Sequence, residues 1–146
     1  PILATVKGGN SEIGLWDLLL GGLFVLAVVH ETVADQQQWN YQTQKHKLIN
    51  AGEELKPPYN KGFIDSGLWS LSRHPNYLAE QSIWVIFYLI SVAATGEWVN
   101  WSVIGCILLL ILFYSSSNFS EEISASKYPL YKEYQKKVAR FIPGLK

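Results

Sequence analysis

The segment from Trp98 to Ser120 contains no charged residue at any of its 23 positions. As an α-helix it would extend about 34 Å, enough to cross the roughly 30 Å hydrocarbon core of a bilayer. Inside a bilayer the backbone has no water to bond with, so a crossing segment of this kind forms a helix. This segment therefore predicts a membrane-spanning helix and an all-α fold.

Two further segments show the same apolar character. Gln81 to Gly96 is uncharged for 16 positions, and its helix can begin earlier, near Pro75, because proline is favoured at the first helical position. Ile13 to Val29 is apolar except for Asp17, which we expect to face water at the membrane border. The predicted architecture is one polytopic membrane domain covering residues 1–146, with spans at about 13–34, 75–96 and 98–120.

The connections complete the predicted fold. The first helix is expected to continue past the bilayer, since residues 30–51 contain neither Gly nor Pro. Residues 52–67 are rich in Gly, Pro and Asn and predict a loop. Residues 128–141, "YPLYKEYQKKVARF", predict a short basic amphipathic helix that ends at Pro143-Gly144.

The basic residues are distributed unevenly about these spans. Eleven of the twelve lie between the first and second spans or after the third span, and only Lys7 lies on the other side. The positive-inside rule places the loop and tail on the cytoplasmic or matrix face. We expect an integral protein of the endoplasmic reticulum or another organelle membrane, such as the mitochondrial inner membrane, in contact with membrane lipids.

Composition excludes several other classes. Acidic and basic residues balance at 12 each, which gives no basis for nucleic-acid binding. Cys106 is the only cysteine, so neither a disulfide framework nor a cysteine metal site is expected, and no H-E-x-x-H spacing occurs. We predict no metal. The chain begins at Pro1 and lacks methionine, so we expect a processed product or the C-terminal portion of a longer protein.

The sequence "SLSRHPNYLAEQ" (residues 70–81) concentrates polar side chains at the start of the second span. First-turn N–H groups of a helix beginning at Pro75 could bind an anion, and Arg73 could hold a phosphate. Asn76 and Glu80 share a helical face at i, i+4, with Tyr77 beside them. Alternatively, Arg73 extends to lipid headgroups and Tyr77 belongs to an interfacial aromatic belt.

Two more polar groups are expected at the same membrane face. Glu31 and Asp35, at i, i+4 near the end of the first span, could receive ribose hydroxyls or a basic partner, or could simply cap a helix leaving the membrane. Glu121 and Glu122 follow the third span. Tyr128, Tyr131 and Tyr134 have threefold spacing, which predicts one helical stripe, either at the interface or against a cofactor.

Three segments resemble the membrane family that carries the steroid 5-alpha-reductase C-terminal domain: "ETVADQQQW", "GLWSLSRHPNYLAEQ" and "EEISASKYPLYKEYQKKVARFIP". The resemblance covers about Glu31 to Pro143. R-H-P-N-Y is typical of a superfamily that also includes sterol C14 reductases and isoprenylcysteine carboxyl methyltransferases. "VADQQQW" and "GLW" favour the reductases, whereas the tail is also similar to that of the methyltransferases.

The resemblance implies a nucleotide cofactor bound from the cytosolic side: NADPH in the reductases, S-adenosylmethionine in the methyltransferases. The positions that match cofactor-contacting residues of the family are Asp35, Arg73, His74, Asn76, Tyr77, Glu80, Glu121 or Glu122, Tyr128 and Tyr134. Of the two glutamates, Glu122 is the predicted cofactor contact. The implied reaction is hydride transfer to a carbon–carbon double bond of a sterol or other lipid enone.

The helices that orient the substrate in such reductases precede the matched region and are absent from this chain. A second expectation is therefore a non-catalytic subunit, in which the same fold braces a larger assembly with other membrane chains. A methyltransferase that uses S-adenosylmethionine is the third.

Overall fold

The computed structural model describes residues 13–145. Within these residues the chain forms four α-helices: α1 (Leu15–Asn50), α2 (Pro75–Thr95), α3 (Trp101–Lys127) and α4 (Tyr131–Lys137). Two 3-10 turns, Tyr59–Lys61 and Gly67–Ser70, lie in the loop between α1 and α2. No β-strand occurs within this range, and the nearest approach to one is a single bridge between Ser72 and Ala139. The all-α prediction is confirmed.

Helix α1 is longer than any bilayer requires. Its 36 residues extend about 54 Å, so its second half continues beyond the membrane as predicted. It begins after Gly14, whose N–H donates to Asp17 Oδ2 at 2.9 Å. Asp17 thus satisfies a first-turn backbone donor, and its negative charge lies at the positive end of the helix dipole.

Helix α2 begins at Pro75, with His74 as the residue before the first turn. Proline fits this position because the first helical N–H has no partner within the helix. The helix ends at Thr95, and Gly96 adopts a φ of 69°, the left-handed conformation that terminates many helices. The prediction that Pro75 opens the second span is confirmed.

Helix α3 starts and ends later than the predicted span of about 98–120. Helix α3 begins at Trp101 rather than Trp98, because the side chain of Asn100 accepts a hydrogen bond from the N–H of Ser102 at 3.0 Å and caps the first turn. The helix continues past Ser120 to Lys127. The added turns bring Glu121 into position at the basic end of the bundle.

The C-terminal helix is shorter than the sequence predicted. Helix α4 ends at Lys137 rather than near Phe141, and Val138 is extended with a ψ of 135°. Tyr128 also has extended backbone, so it is not part of a three-tyrosine stripe on one helix. The short α4 leaves residues 138–141, hereafter the C-terminal segment, free to pair with another part of the chain.

The three long helices pack in chain order, with α1 along α2 and α2 along α3. Phe24 and Phe87 meet across the first contact with ring centroids 6.1 Å apart. The opposite faces expose large apolar side chains, including Leu19, Leu26, Ile107, Leu108, Ile111 and Leu112. A soluble protein rarely exposes so continuous an apolar surface. All three helices are long and apolar enough to cross a membrane, and the protein is an integral membrane protein.

The basic side chains that set the predicted orientation lie at one end of this bundle. Lys7 and Lys146, which also entered the charge count, lie outside the described residues. Lys56 in the long loop and Lys136 in α4 are both exposed.

We predict that these two positions face the same aqueous compartment. Single cysteines at Lys56→Cys and Lys136→Cys, in a Cys106→Ser background, should react with an impermeant maleimide from one side of sealed vesicles. Because Cys106 is buried, its removal is a background correction only. Labelling of the two positions from opposite sides would contradict the three-span topology.

Candidate functional site

The long loop folds onto the extramembrane part of α1. The indole N–H of Trp69 donates to the Ala34 carbonyl at 3.0 Å, and the N–H of Leu68 donates to Gln37 Oε1 at 3.0 Å. Gly67 makes this approach possible, since its φ is 62° and a Cβ there would lie 2.6 Å from the Gln37 amide oxygen. Tyr41 and Ile64 complete the apolar contact with Trp69.

A second attachment uses a buried lysine. Lys45 is only 6% exposed, and its Nζ donates to the Gly62 carbonyl at 2.9 Å. The ammonium group also lies 5.7 Å from the ring centre of Tyr128 and 5.9 Å from that of Tyr41. Two aromatic faces and a carbonyl therefore compensate for its lost hydration.

Glu121 is the centre of the polar network at this end of the bundle. It is 4% exposed. Its Oε1 lies 2.8 Å from Arg73 Nε, 2.9 Å from His74 Nε2 and 3.7 Å from Arg140 Nε. Its Oε2 accepts from Gln135 Nε2 at 2.7 Å and Arg73 Nη2 at 3.2 Å. One carboxylate from α3 thus joins the "RHP" motif to α4 and the C-terminal segment.

The remaining donors of Arg73 also meet protein acceptors. Nη1 donates to the carbonyl oxygens of Gln135 at 2.9 Å and Val138 at 2.5 Å, and the side chain is 10% exposed. Each of its three guanidinium nitrogens has a protein acceptor. Arg73 therefore joins parts of the chain to one another. The geometry does not support the expectation that Arg73 is free to hold a phosphate.

The C-terminal segment pairs with residues 72–74. The N–H groups of Arg73 and His74 donate to the carbonyls of Ala139 at 2.9 Å and Arg140 at 3.1 Å. Ser72 Oγ donates to the same Arg140 carbonyl at 3.0 Å. The backbone just before α2 is therefore held by residues nearly 70 positions later in the chain.

His74 and Tyr77 form an aromatic layer at the start of α2. Their rings stack at 5.1 Å and 19°, and Tyr77 meets Phe113 of α3 edge-on at 5.1 Å. His74 is buried, and its Nε2 is held by Glu121. The orientation of both rings is thus fixed from α3.

Asp35 and Asn76, predicted from separate segments, are in direct contact. Asn76 Nδ2 donates to Asp35 Oδ1 at 3.0 Å across α1 and α2. Glu80, one turn further along α2, accepts from the indole N–H of Trp84 at 3.0 Å and lies within hydrogen-bonding reach of Glu31. These polar groups line the α1–α2 junction where the helices leave the membrane.

A cavity of about 220 Å³ lies between α1, the long loop, the start of α2, α3 and α4. Its wall is mainly aromatic and polar: Gln38, Phe63, Ile64, Trp69, Arg73, His74, Asn76, Tyr77, Ser120, Ser124, Tyr131 and Tyr134. Burial raises the pKa of Tyr131 to about 12 and also raises the pKa of Tyr134. Both phenols are therefore neutral at physiological pH, and the hydroxyl of Tyr134 already donates to the backbone carbonyl of Trp69.

Most of the predicted site residues converge on this region. Arg73, His74, Asn76, Tyr77 and Tyr134 line the cavity; Asp35 contacts Asn76, and Glu80 is one turn away. Two predicted residues lie elsewhere. Glu122 is exposed, whereas the adjacent Glu121 is the buried carboxylate. Tyr128 is outside the cavity wall and packs against Phe63 at 5.9 Å.

Sequence reasoning missed Gln38 of α1. Within the described residues, its Oε1 is buried and has no hydrogen-bond partner, although Gln38 lines the cavity. Ala34, Tyr41 and Lys45 are the buried positions of this part of α1, and Gln38 continues their helical spacing, but this pattern of burial is visible only in the structure. In residues 13–145, no three His, Cys, Asp or Glu side chains are placed to hold a metal ion.

Comparison with known proteins identifies the family. The profile of the family described as "Protein of unknown function (DUF1295)" matches residues 1–138, and the chain belongs to this family. An uncharacterized protein of Schizosaccharomyces pombe, C594.04c, is 38% identical over 150 residues, which cover 98% of this chain. The chain spans 43% of the length of that relative. No solved structure matches the chain.

The adjacent glutamates give a matched test of the Glu121 network. Glu121→Gln should lower the free energy of unfolding by about 3–5 kcal/mol, because it leaves buried cations without their counter-charge. Glu122→Gln, at an exposed position, should change it by less than about 0.5 kcal/mol. Thermal unfolding of both variants in one detergent measures the difference. Equal stability of the two variants would show that the ion-pair network contributes nothing.

Proposed function

We propose that this chain is the cofactor-binding portion of an NADPH-dependent, reductase-like membrane protein that reduces a carbon–carbon double bond of a sterol or other lipid enone. The observation that carries the proposal is the hydrogen bond between Asp35 and Asn76 beside an aromatic cavity. These residues come from two segments that independently resemble the reductase family. Their contact supports a shared site at the basic face.

The cavity has the chemistry that one part of a nucleotide requires. Aromatic side chains provide surfaces for a planar ring, and Gln38 and Asn76 add amide groups to the wall. Asp35 and Asn76 lie at the more exposed edge, where hydroxyl groups of a ribose can reach a carboxylate and an amide. The basic residues of the loop and tail favour approach of an anionic ligand from this face.

In this proposal NADPH, when bound, supplies hydride to the lipid double bond. The chain's own residues bind and orient the ligand: Glu121 fixes His74, and His74 fixes the ring of Tyr77. Tyr131 and Tyr134 remain neutral and form part of the cavity wall. The groups that bind the lipid belong to a part of the protein outside these 146 residues, consistent with the length of the yeast relative.

A second candidate is a non-catalytic brace within a larger membrane assembly. The observation in its favour is the internal pairing of Arg73, which uses the motif's charge to join helices rather than leaving it for a ligand. Both candidates require the Glu121 network, so stability measurements do not separate them. Ligand binding does.

We predict that Asn76→Ala weakens NADPH binding to the full-length protein about tenfold, because one hydrogen-bonding amide is lost. The loss should depend little on salt, since no charge is removed. Asn40→Ala is the matched control: Asn40 is exposed and pairs with Gln36 of its own helix. Calorimetric titration in lipid nanodiscs measures both.

The same titration with S-adenosylmethionine tests the methyltransferase alternative. Binding of S-adenosylmethionine in place of NADPH would replace the reductase proposal. If the full-length protein binds neither ligand, the non-catalytic brace is the candidate that remains.

A further inference from the structure

We infer that Arg140, held against Tyr114 and Asn118 of α3, binds the phosphate group of a membrane phospholipid where the bundle leaves the bilayer. None of these three residues lines the cavity described above. The inference is therefore independent of the proposed function and of any cofactor.

The first observation is a positive charge without a counter-charge of its own. Within residues 13–145, Glu121 is the carboxylate that pairs with both Arg73 and Arg140. It lies 2.8 Å from Arg73 Nε, but the same oxygen is 3.7 Å from Arg140 Nε. One carboxylate cannot balance two guanidinium groups, so a net positive charge remains at Arg140.

The second observation is that donors remain unused. Arg140 Nη1 donates to Asn118 Oδ1 at 2.6 Å, and the guanidinium carbon lies 5.0 Å from the ring centre of Tyr114. In the described part of the chain, Arg140 Nη2 and the Tyr114 hydroxyl have no hydrogen-bond partner. The Arg140 side chain is 27% exposed and Tyr114 is 54% exposed, so a ligand can reach both.

The third observation is the depth of these donors along the bundle. Tyr114 and Asn118 belong to the last turns of the uncharged segment 98–120. The adjacent Phe113 packs against Tyr77, in the first turn of α2, at 5.1 Å. The guanidinium group of Arg140 therefore lies level with the start of α2, at the membrane border. Arginine side chains at this depth extend to the headgroup layer, where phosphate is the available anion.

The surroundings favour a lipid over a soluble phosphate as the source. Tyr114, on which Arg140 stacks, lies on a face of α3 whose exposed side chains are mainly apolar, such as Ile111 and Phe119. Acyl chains can cover this face while the headgroup reaches Arg140. Guanidinium groups also suit phosphate oxygens, because two parallel N–H donors can bind one phosphate.

Arg140 thus takes the role that the sequence left open for Arg73. The structure satisfies Arg73 with protein groups on each guanidinium nitrogen. The second arginine of the cluster is the one left with charge and a donor to spare.

The test measures lipid binding to the full-length protein in non-ionic detergent by native mass spectrometry. Dioleoylphosphatidylglycerol and dioleoylglycerol have the same acyl chains, and only the first has a phosphate. We expect the wild type to bind the phospholipid about tenfold more tightly, because the charge-assisted contacts need the phosphate. Equal binding of the two lipids overturns the inference.

A matched pair of variants assigns the preference to Arg140. Arg140→Gln should bind dioleoylphosphatidylglycerol about tenfold more weakly than the wild type. Lys136→Gln removes the same charge from an exposed position of α4 and should change binding by less than about twofold, since exposed charges are screened. Equal losses in the two variants would show only a general attraction to the basic face, which overturns the inference.

Tyr114→Leu separates binding from folding, because Arg140 also lies near Glu121. Tyr114 is exposed and takes no part in the hydrogen bonds of Glu121. Removal of its ring takes away the surface that orients the guanidinium group, and the preference for the phospholipid should fall about three- to fivefold. An unchanged preference in Tyr114→Leu overturns the inference even if Arg140→Gln does not fold.

Two further measurements distinguish the source of the phosphate. Excess inorganic phosphate should not displace the phospholipid from the wild type, because it lacks the acyl chains; displacement would assign the site to a free phosphate. Arg140→Gln should bind NADPH as the wild type does. A loss of NADPH affinity with unchanged lipid binding would assign Arg140 to the cofactor and overturn the inference. If NADPH does not bind at all, the proposed function fails, and the lipid measurements still decide this site.

Discussion

The ion pairs and hydrogen bonds of the buried Glu121 carboxylate are the interactions on which the structure at the basic end of the bundle depends. A carboxylate with 4% exposure is strongly unfavourable unless it is paired and hydrogen-bonded. Here both oxygens are used, by Arg73, His74, Gln135 and Arg140. These four partners come from the start of α2, from α4 and from the C-terminal segment. A single group on α3 therefore determines where three other parts of the chain lie.

This arrangement changes the role of the charged motif. An arginine beside a helix N-terminus suggests an anion site, but Arg73 is satisfied by protein groups on every guanidinium nitrogen. The residues left for a ligand are the uncharged ones around the cavity, chiefly Asn76, Tyr77 and Gln38, with Asp35 at its edge. The charged groups hold the helices together around the cavity, and the neutral polar and aromatic groups are those that we propose contact a ligand.

The spans were predictable because they depend on local sequence: long uncharged segments indicate membrane helices, and proline and glycine mark where a helix begins or ends. Pro75 and Gly96 mark the ends of α2 closely. The ends of α3 differ from the predicted span because a count of charged residues does not detect the Asn100 cap or the extension of the helix that carries Glu121. The choice of Glu122 over Glu121 arose from the same limit. Two adjacent glutamates look alike in sequence, and only the rotation of α3 relative to α2 and α4 decides which one is buried.

The role of Gln38 was equally hidden, because whether a buried amide has a partner depends on the loop that folds over it. Gln36, Gln37 and Gln38 are chemically identical, yet they face solvent, the loop and the cavity respectively. The site residues that could be predicted were those that a family motif supplied. Those that depend on tertiary packing required the structure.

Hydrogen exchange in the Glu121→Gln variant tests most directly whether Glu121 holds the start of α2 against α4 and the C-terminal segment. The N–H groups of Arg73 and His74 bond to the carbonyls of Ala139 and Arg140, so their protection reports whether the two segments remain joined. If Glu121 holds both, exchange should accelerate together at residues 72–74 and in residues 131–140, while the membrane part of α1 stays as protected as in the wild type. Unchanged protection of residues 72–74 in that variant would contradict the account.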